Sequence, residues 1–326
     1  MPSSMHRDIA FYLRELAARN CHAVRMKTSV TLTSLSFCIF AACSICSAQD
    51  SVVAEGAELQ KLPGEYAFTE GPVADKEGNV YFTDQPNDRI VKWNADDGKL
   101  SDWLKPAGRS NGMYFSPDGN LITCADGGNE LWSIAPDKKV TVLLSKVDGK
   151  LLNGPNDLWI RNDGGIYFTD PLFARDYWER DKAMQMEGEY VYFLPKGATE
   201  PVRVETELKK PNGIIGSPDG KILYVADYGG SKTYAYDIEP DGTLSNKRLF
   251  CNLGSDGMTI DAAGNLYLTG RGVTVFDKTG KQIQRIDVPE GWTANVTFAG
   301  KDRDTLFITA SKSVYTLKMA VHGPAD

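Results

Sequence analysis

Polar and apolar residues alternate along this chain in short runs that end on Asp-Gly, Gly-Asn or Gly-Gly, while runs with a helical period are scarce. Period-two alternation broken by turn formers predicts β-hairpins. The stretch "NDLWIRNDGGIYFTD" from Asn156 reads as one: an alternating strand, a turn at 162–165, and an apolar strand ending at Asp170. It opens on Asn156 and Asp157, at the point where a strand starts to bury itself. Asn is depleted in strands, and a buried amide needs partners.

The same hairpin recurs. It reads "EGPVADKEGNVYFTD" from Glu70, "NGMYFSPDGNLITCAD" from Asn111, "NGIIGSPDGKILYVAD" from Asn212, "DGMTIDAAGNLYLTG" from Asp256 and "NVTFAGKDRDTLFITA" from Asn295. In five of the six copies a turn glycine (Gly78, Gly119, Gly164, Gly220, Gly264) falls eight residues after the opening polar residue; the sixth has Arg303 there, which predicts a looser turn. Openings are spaced by 41, 45, 56, 44 and 39 residues, the length of a four-stranded propeller blade. Six such units fill residues 50–320, so the pattern predicts an all-β chain folded as one six-bladed β-propeller over residues 49–326. A β-sandwich would not repeat one register six times.

In a propeller the innermost strands line a central channel, and equivalent residues form a ring around it. The ring expected here is Glu70, Asn111, Asn156, Asn212, Asp256 and Asn295. Two carboxylates and four amides at one mouth need a partner. Oxygen donors without Cys or His select Ca²⁺ or another hard divalent cation. A single Asn-Gly or Asp-Gly is an ordinary turn; six in register argue for a shared site. The longest spacing falls in the third unit, where "PLFARDYWERDKAMQMEGEY" (171–190) carries Phe173, Tyr177 and Trp178. Two readings stay open for it, a lid over the mouth and an insertion packed on the rim.

Composition narrows the chemistry. The formal charge of −7 argues against a nucleic-acid surface. The histidines are His6, His22 and His322, two near the start and one near the end, which removes Ser-His-Asp and Cys-His nucleophile systems and a His-ligated zinc or iron site. No P-loop or dinucleotide fingerprint is present. A hard cation beside a carboxylate remains, suited to hydrolysis of an activated ester.

Residues 1–48 differ from the rest. From Met26 a Lys, an apolar run over about 30–42 and small residues ending at Ala48 read as a secretory signal, too short for a comfortable membrane span. Its position points to translation starting at Met26, the alternative being an amphipathic "FYLRELAARN" extension. Cys43 in "FAAC" is a weak lipoprotein-like site. The expected location is periplasmic or secreted. Past the leader only Cys124 and Cys251 remain, expected as buried thiols rather than a disulfide scaffold.

At "EGP" (Glu70), "NGPNDL" (Asn153–Leu158), "FTDP" (Phe168), "PNGI" and "SPDG" (Pro211–Gly220) and "DGMTID" (Asp256), the chain resembles the gluconolactonase/regucalcin-like (senescence marker protein) family of six-bladed propellers, over roughly Glu65 to Leu317. The resemblance implies a lactone-hydrolysing enzyme acting on a small molecule. It implies a divalent cation, usually calcium, held by Glu70, Asn156, Asn212 and Asp256, with the second Asn contacting substrate or water instead in some members. It makes Asp256 the acid/base group and places Asn111, Asn156 and Asn295 around the substrate. Related propellers hydrolyse phosphotriesters or fluorophosphates at an equivalent centre, and a non-catalytic, calcium-pinned binding propeller is the third reading. The animal branch carries an Arg two residues before the first channel Asn, where this chain has Gly154. The chain looks more like the bacterial exported branch, and the sugar preference of the animal enzymes does not transfer. Arg271, in "LTGRGV", and Tyr228, in "ADYGG", are candidates for a compensating donor and a pocket wall.

Overall fold

The computed structural model describes residues 51–325. The leader, the Met26 start and the Cys43 site lie outside the described residues. Among the described residues no helix is long and apolar enough to cross a membrane.

The alternating hairpins fold into six antiparallel four-stranded sheets. The innermost strands of blades I to VI are Thr69–Ala74, Ser110–Phe115, Leu158–Ile160, Pro211–Gly216, Met258–Ile260 and Asn295–Ala299. Consecutive innermost strands pack side by side all the way round, blade VI against blade I included. The second strands are the apolar halves of the hairpins, and Val80–Asp84, Leu121–Ala125 and Ile166–Asp170 are buried throughout. Because both faces of each blade are covered by its neighbours, these strands open on apolar runs instead of alternating, with polar residues gathered at their Thr-Asp ends. Aromatic rings fill the seams: Phe82 of blade I meets Phe307 of blade VI at 5.6 Å, and Phe250 of blade IV meets Phe276 of blade V at 6.2 Å. Cys124 and Cys251 are free and buried, as expected.

Two features depart from the sequence reading. The outer strand of blade VI is Gln60–Lys61, which pairs with Ser313–Lys318, so the last sheet is completed from the beginning of the propeller. Leu62 N–H donating to Val314 O and Ala320 N–H donating to Val52 O extend this seam. The turn at Arg303 is also not looser than the others. Arg303 N–H donates to Gly300 O at 3.0 Å with φ +53°, matching Gly119 N–H to Ser116 O at 2.9 Å with φ +86°. A non-glycine residue takes the left-handed conformation because the hairpin geometry requires it there.

The residue after each ring position explains why so many are glycine. Gly71 has φ +44°, and a Cβ on it would overlap the Asn111 carbonyl oxygen. A Cβ on Gly257 would overlap the Asn295 side chain. At the narrow end of the channel one blade's backbone rests directly on the next blade's ring residue, so the glycine serves close approach as much as turning.

Candidate functional site

The aspartates that end the second strands hold the ring residues in register. Asp84 accepts from the N–H groups of Ala67 and Phe68 at 3.0 and 3.4 Å, Asp170 from Asn153 and Gly154 at 3.0 and 2.8 Å, and Asp227 from Lys209 and Lys210 at 3.2 and 3.0 Å. In each case the donors lie three and two residues before the ring residue (Glu70, Asn156, Asn212). The recurring Thr-Asp or Ala-Asp therefore clamps the segment that delivers its own blade's ring group. Blade II breaks this rule. There Asp88 accepts from Ala107 and Arg109 instead, and Asp126 is free for another partner.

At the mouth, Asp256 Oδ1 accepts from Asn212 Nδ2 at 2.8 Å, and its Oδ2 accepts from Trp292 Nε1 at 2.5 Å. Glu70 is buried, with Oε2 accepting from Gly71 N–H at 3.0 Å. Burial first, then repulsion from Asp256, pushes the Glu70 carboxyl well above its usual range. Burial also raises Asp256, against the lowering effect of its Trp292 and Asn212 donors. Blades I and V thus bring two carboxylates within reach of each other's field. Asn212 Oδ1 is buried with no hydrogen-bond partner. Asn111 and Asn156 are buried too, and their side-chain amides have no protein partner among the described residues. The Asn156 carbonyl instead accepts from Gly112 N–H at 2.7 Å across the blade II–III seam. Asn295 Nδ2 donates to Asp157 Oδ2 at 3.3 Å, and Asp157 also accepts from Leu158 N–H at 2.9 Å. Burial lifts Asp157 to about 7. The odd Asn156–Asp157 pair is therefore a ring amide followed by a carboxylate that braces the channel from blade III to blade VI.

An orphaned amide oxygen beside two mutually repelling carboxylates is a donor set that fits a hard cation. Among the described residues no three His, Cys, Asp or Glu side chains cluster as metal ligands; the candidate set is two carboxylates completed by amides.

The 171–190 segment reaches this mouth, which decides between lid and rim insertion. Trp178 Nε1 and Arg180 Nη2 donate to the two oxygens of Asp126 at 3.0 and 2.9 Å, so the carboxylate freed in blade II anchors the lid. Arg180 lies flat on Trp178, 3.4 Å from its ring centre. A Cβ at Gly154 would come within 2.7 Å of Asp126 Oδ1 and 2.9 Å of Arg180 Nη2. The anchor fills the space that a side chain at position 154 would need. At the other end Leu172 N–H donates to Glu189 at 2.8 Å, and Lys210 Nζ donates to Leu172 O at 3.0 Å. Between the anchors, Phe173 meets Tyr228 edge-on at 5.7 Å and Tyr228 meets Trp292 at 6.1 Å. Tyr228 is thus part of an aromatic wall running to Asp256. Arg271 is exposed, and its carbonyl accepts from Arg285; among the described residues it makes no ion pair or hydrogen bond with a ring residue. Sequence reading missed Trp292 and the bracing role of Asp157. Only Asp157 carried a signal, as a carboxylate at a strand start.

The Asp170 clamp and the Asp126 anchor titrate. Burial raises Asp170 to about 7 and Asp126 to about 6, the latter in spite of Arg180. Both folded values exceed the unfolded value near 3.8, so the native state binds more protons. The associated stability is complete below about pH 4 and is lost as pH rises to 7, on the order of 4 kcal/mol for Asp170 alone. In EDTA at constant salt, the urea midpoint should fall between pH 5 and pH 8. Asp170→Asn should flatten that fall, and an unchanged slope would show that Asp170 is not its source.

The opposite end of the channel holds a cavity of about 800 Å³ whose rim includes Lys76, Pro117, Asn162 and Pro218 from the hairpin turns. It reaches up to Gly71, Asp157 and Asn295 from below, so the Asp157–Asn295 brace separates it from the carboxylate mouth.

Comparison with known proteins agrees with this architecture. Residues 68–312 match the SMP-30/gluconolactonase/LRE-like region. A gluconolactonase of Zymomonas mobilis is 28% identical over 84% of this chain and 85% of its own length. Regucalcin of Xenopus laevis is 27% identical over 76% of this chain and 84% of its own. Among solved structures, a gluconolactonase of Xanthomonas campestris superposes with TM-score 0.75 at 29% identity, covering 82% of this chain and 91% of that one. A calcium-binding regucalcin of Agrobacterium tumefaciens superposes with TM-score 0.68 at 18% identity, over 81% and 95% of the two chains, and shares the fold.

Proposed function

The chain belongs to the SMP-30/gluconolactonase/LRE-like family, and on that premise we propose that it hydrolyses sugar lactones with a bound divalent cation, calcium in our reading. The observation that carries the proposal is Asn212, whose Nδ2 donates to Asp256 while its buried Oδ1 is orphaned, beside a buried Glu70 that the Asp256 charge repels. Gluconolactonase relatives at 28–29% identity support the substrate class, and the calcium-binding regucalcin neighbour supports the ion.

Glu70, Asn156, Asn212 and Asp256 would hold the cation. When bound, it supplies Lewis-acid stabilisation of the charge that develops on the lactone's carbonyl oxygen. Asp256 takes the proton of the attacking water as the new C–O bond forms. It returns a proton to the ring oxygen as the ring C–O bond breaks, giving the open hydroxy acid. Trp292 Nε1 and Asn212 Nδ2 fix the orientation of its carboxylate. A carboxylate with two donors is a weak base, so positioning must contribute much of the acceleration. Asn111 lines the substrate side of the mouth; Asn295, already donating to Asp157, supports it from below.

The test is acid release from D-glucono-δ-lactone and a panel of aldonolactones, above the spontaneous rate. Turnover should fall at least tenfold in EDTA and return with Ca²⁺. Silence across the panel in both conditions would leave a non-catalytic propeller. We further place the protein in the periplasm or secreted, from the signal-like run after Met26; an exported chain beginning near Gln49 is the expected check.

A further inference from the structure

Arg175 sits on the lid between its two anchors, and its Nε is buried with no hydrogen-bond partner. Among the described residues its side chain forms no ion pair, and it lies 5.6 Å from the centre of the Phe173 ring. A guanidinium carries five donors in a fixed fork, and leaving its Nε–H dehydrated and unused is costly. Contacts through Phe173, Tyr228 and Trp292 connect it to Asp256 at the mouth, and its positive charge lowers the proton affinity of Glu70, Asp256 and Asp126 alike. With no ion pair to Glu70 or Asp256, a gap separates it from them. One side of that gap is the wall described above: Asp256, Trp292, Tyr228 and Phe173 in sequence, ending at Arg175. Phe173 and Trp292 are half-buried and Tyr228 is 38% exposed, so the rings present faces and edges to whatever enters.

We propose that Arg175 with the Phe173–Tyr228–Trp292 wall forms a subsite for the hydroxyl-bearing part of the lactone ring, and that Arg175 selects polyhydroxylated lactones over unsubstituted ones. Aromatic rings suit the C–H surfaces of a saturated ring, and a guanidinium fork suits adjacent hydroxyl oxygens. The anchors at Leu172 and at Trp178 and Arg180 keep the fork at a set height above the base. The inference rests on the lactone-hydrolase reading and adds to it a substrate feature and the residue that reads it.

The experiment compares D-glucono-δ-lactone with δ-valerolactone, which has the same ring size and scissile bond without hydroxyls. Arg175→Met keeps the apolar stem and removes the donors. It should lower kcat/KM for the hydroxylated lactone at least tenfold more than for δ-valerolactone, mainly through KM, any loss common to both lactones reporting the charge removed from near Asp256; Arg175→Lys, which keeps that charge, should fall between. Calorimetric titration gives a second readout: D-gluconate should bind the Met variant at least tenfold more weakly than wild type, and 5-hydroxypentanoate equally to both. Equal losses on both lactones, or D-gluconate bound unchanged, would overturn the subsite. A wild-type protein that turns over neither lactone would overturn the underlying reading with it.

Discussion

Asp256→Asn should leave the protein folded and reduce kcat on D-glucono-δ-lactone about 10³-fold or more, within the range that loss of a positioned general base produces. Asparagine has the shape of aspartate but cannot take a proton. It also has one acceptor where Asp256 uses two, Oδ1 toward Asn212 and Oδ2 toward Trp292. Its own N–H groups would face one of those donors. That lost bond costs about 1.5–3 kcal/mol. Removing one of two buried carboxylates that repel each other offsets it. The melting temperature in EDTA should therefore stay within about 4 °C of wild type. Calcium affinity, read by calorimetry, should fall along with turnover, because the same carboxylate serves both. A variant retaining a tenth of wild-type kcat would remove Asp256 from the chemistry.

Gly71→Ala should cost about 4 kcal/mol or more, putting it among the few single substitutions that approach unfolding a domain. Two penalties combine there. The backbone at φ +44° disfavours any L side chain, and the added methyl would overlap the Asn111 carbonyl oxygen. A carbonyl on the facing strand cannot rotate aside, so blades I and II must separate at the point where their ring residues meet. The matched control is Gly119→Ala, with φ +86° and nothing within 4 Å of the new methyl; it should cost only about 1–2 kcal/mol of backbone strain. Melting curves should show a drop of roughly 8 °C or more for the first variant and less than half of that for the second. Equal drops would mean that close approach at the throat contributes nothing.

What was legible in the chain was what repeats. A ring of equivalent hairpins writes the same register six times, so Glu70, Asn111, Asn156, Asn212, Asp256 and Asn295 align from the order of residues alone. The same repetition exposed the Thr-Asp and Ala-Asp strand ends, although not their use as clamps on the segments holding Glu70, Asn156 and Asn212. Features that occur once stayed hidden. Gln60–Lys61 is two exposed residues whose pairing is made by the backbone, leaving no pattern of apolar side chains to find. Trp292 reaches Asp256 from 36 positions away. Arg175 reads as one more charge in a polar insertion until the fold connects it to the mouth. The released carboxylate of Asp126 was invisible for the opposite reason: its strand end looks like all the others, and only the substitution of Asp88 for its clamping role frees it to hold the lid.

The seam in blade VI has a consequence for how the molecule is made. Gln60–Lys61 leaves the ribosome before any blade is complete, yet its partner Ser313–Lys318 comes some 250 residues later. Until then a nascent chain has an unpaired edge at each end of an unfinished ring, the kind of surface that recruits other chains. No amount of local hairpin folding can finish the assembly, because its last contact is also among its longest-range ones. Circularity is therefore conferred at the end of synthesis, in a single step that needs both extremities of the propeller present at once.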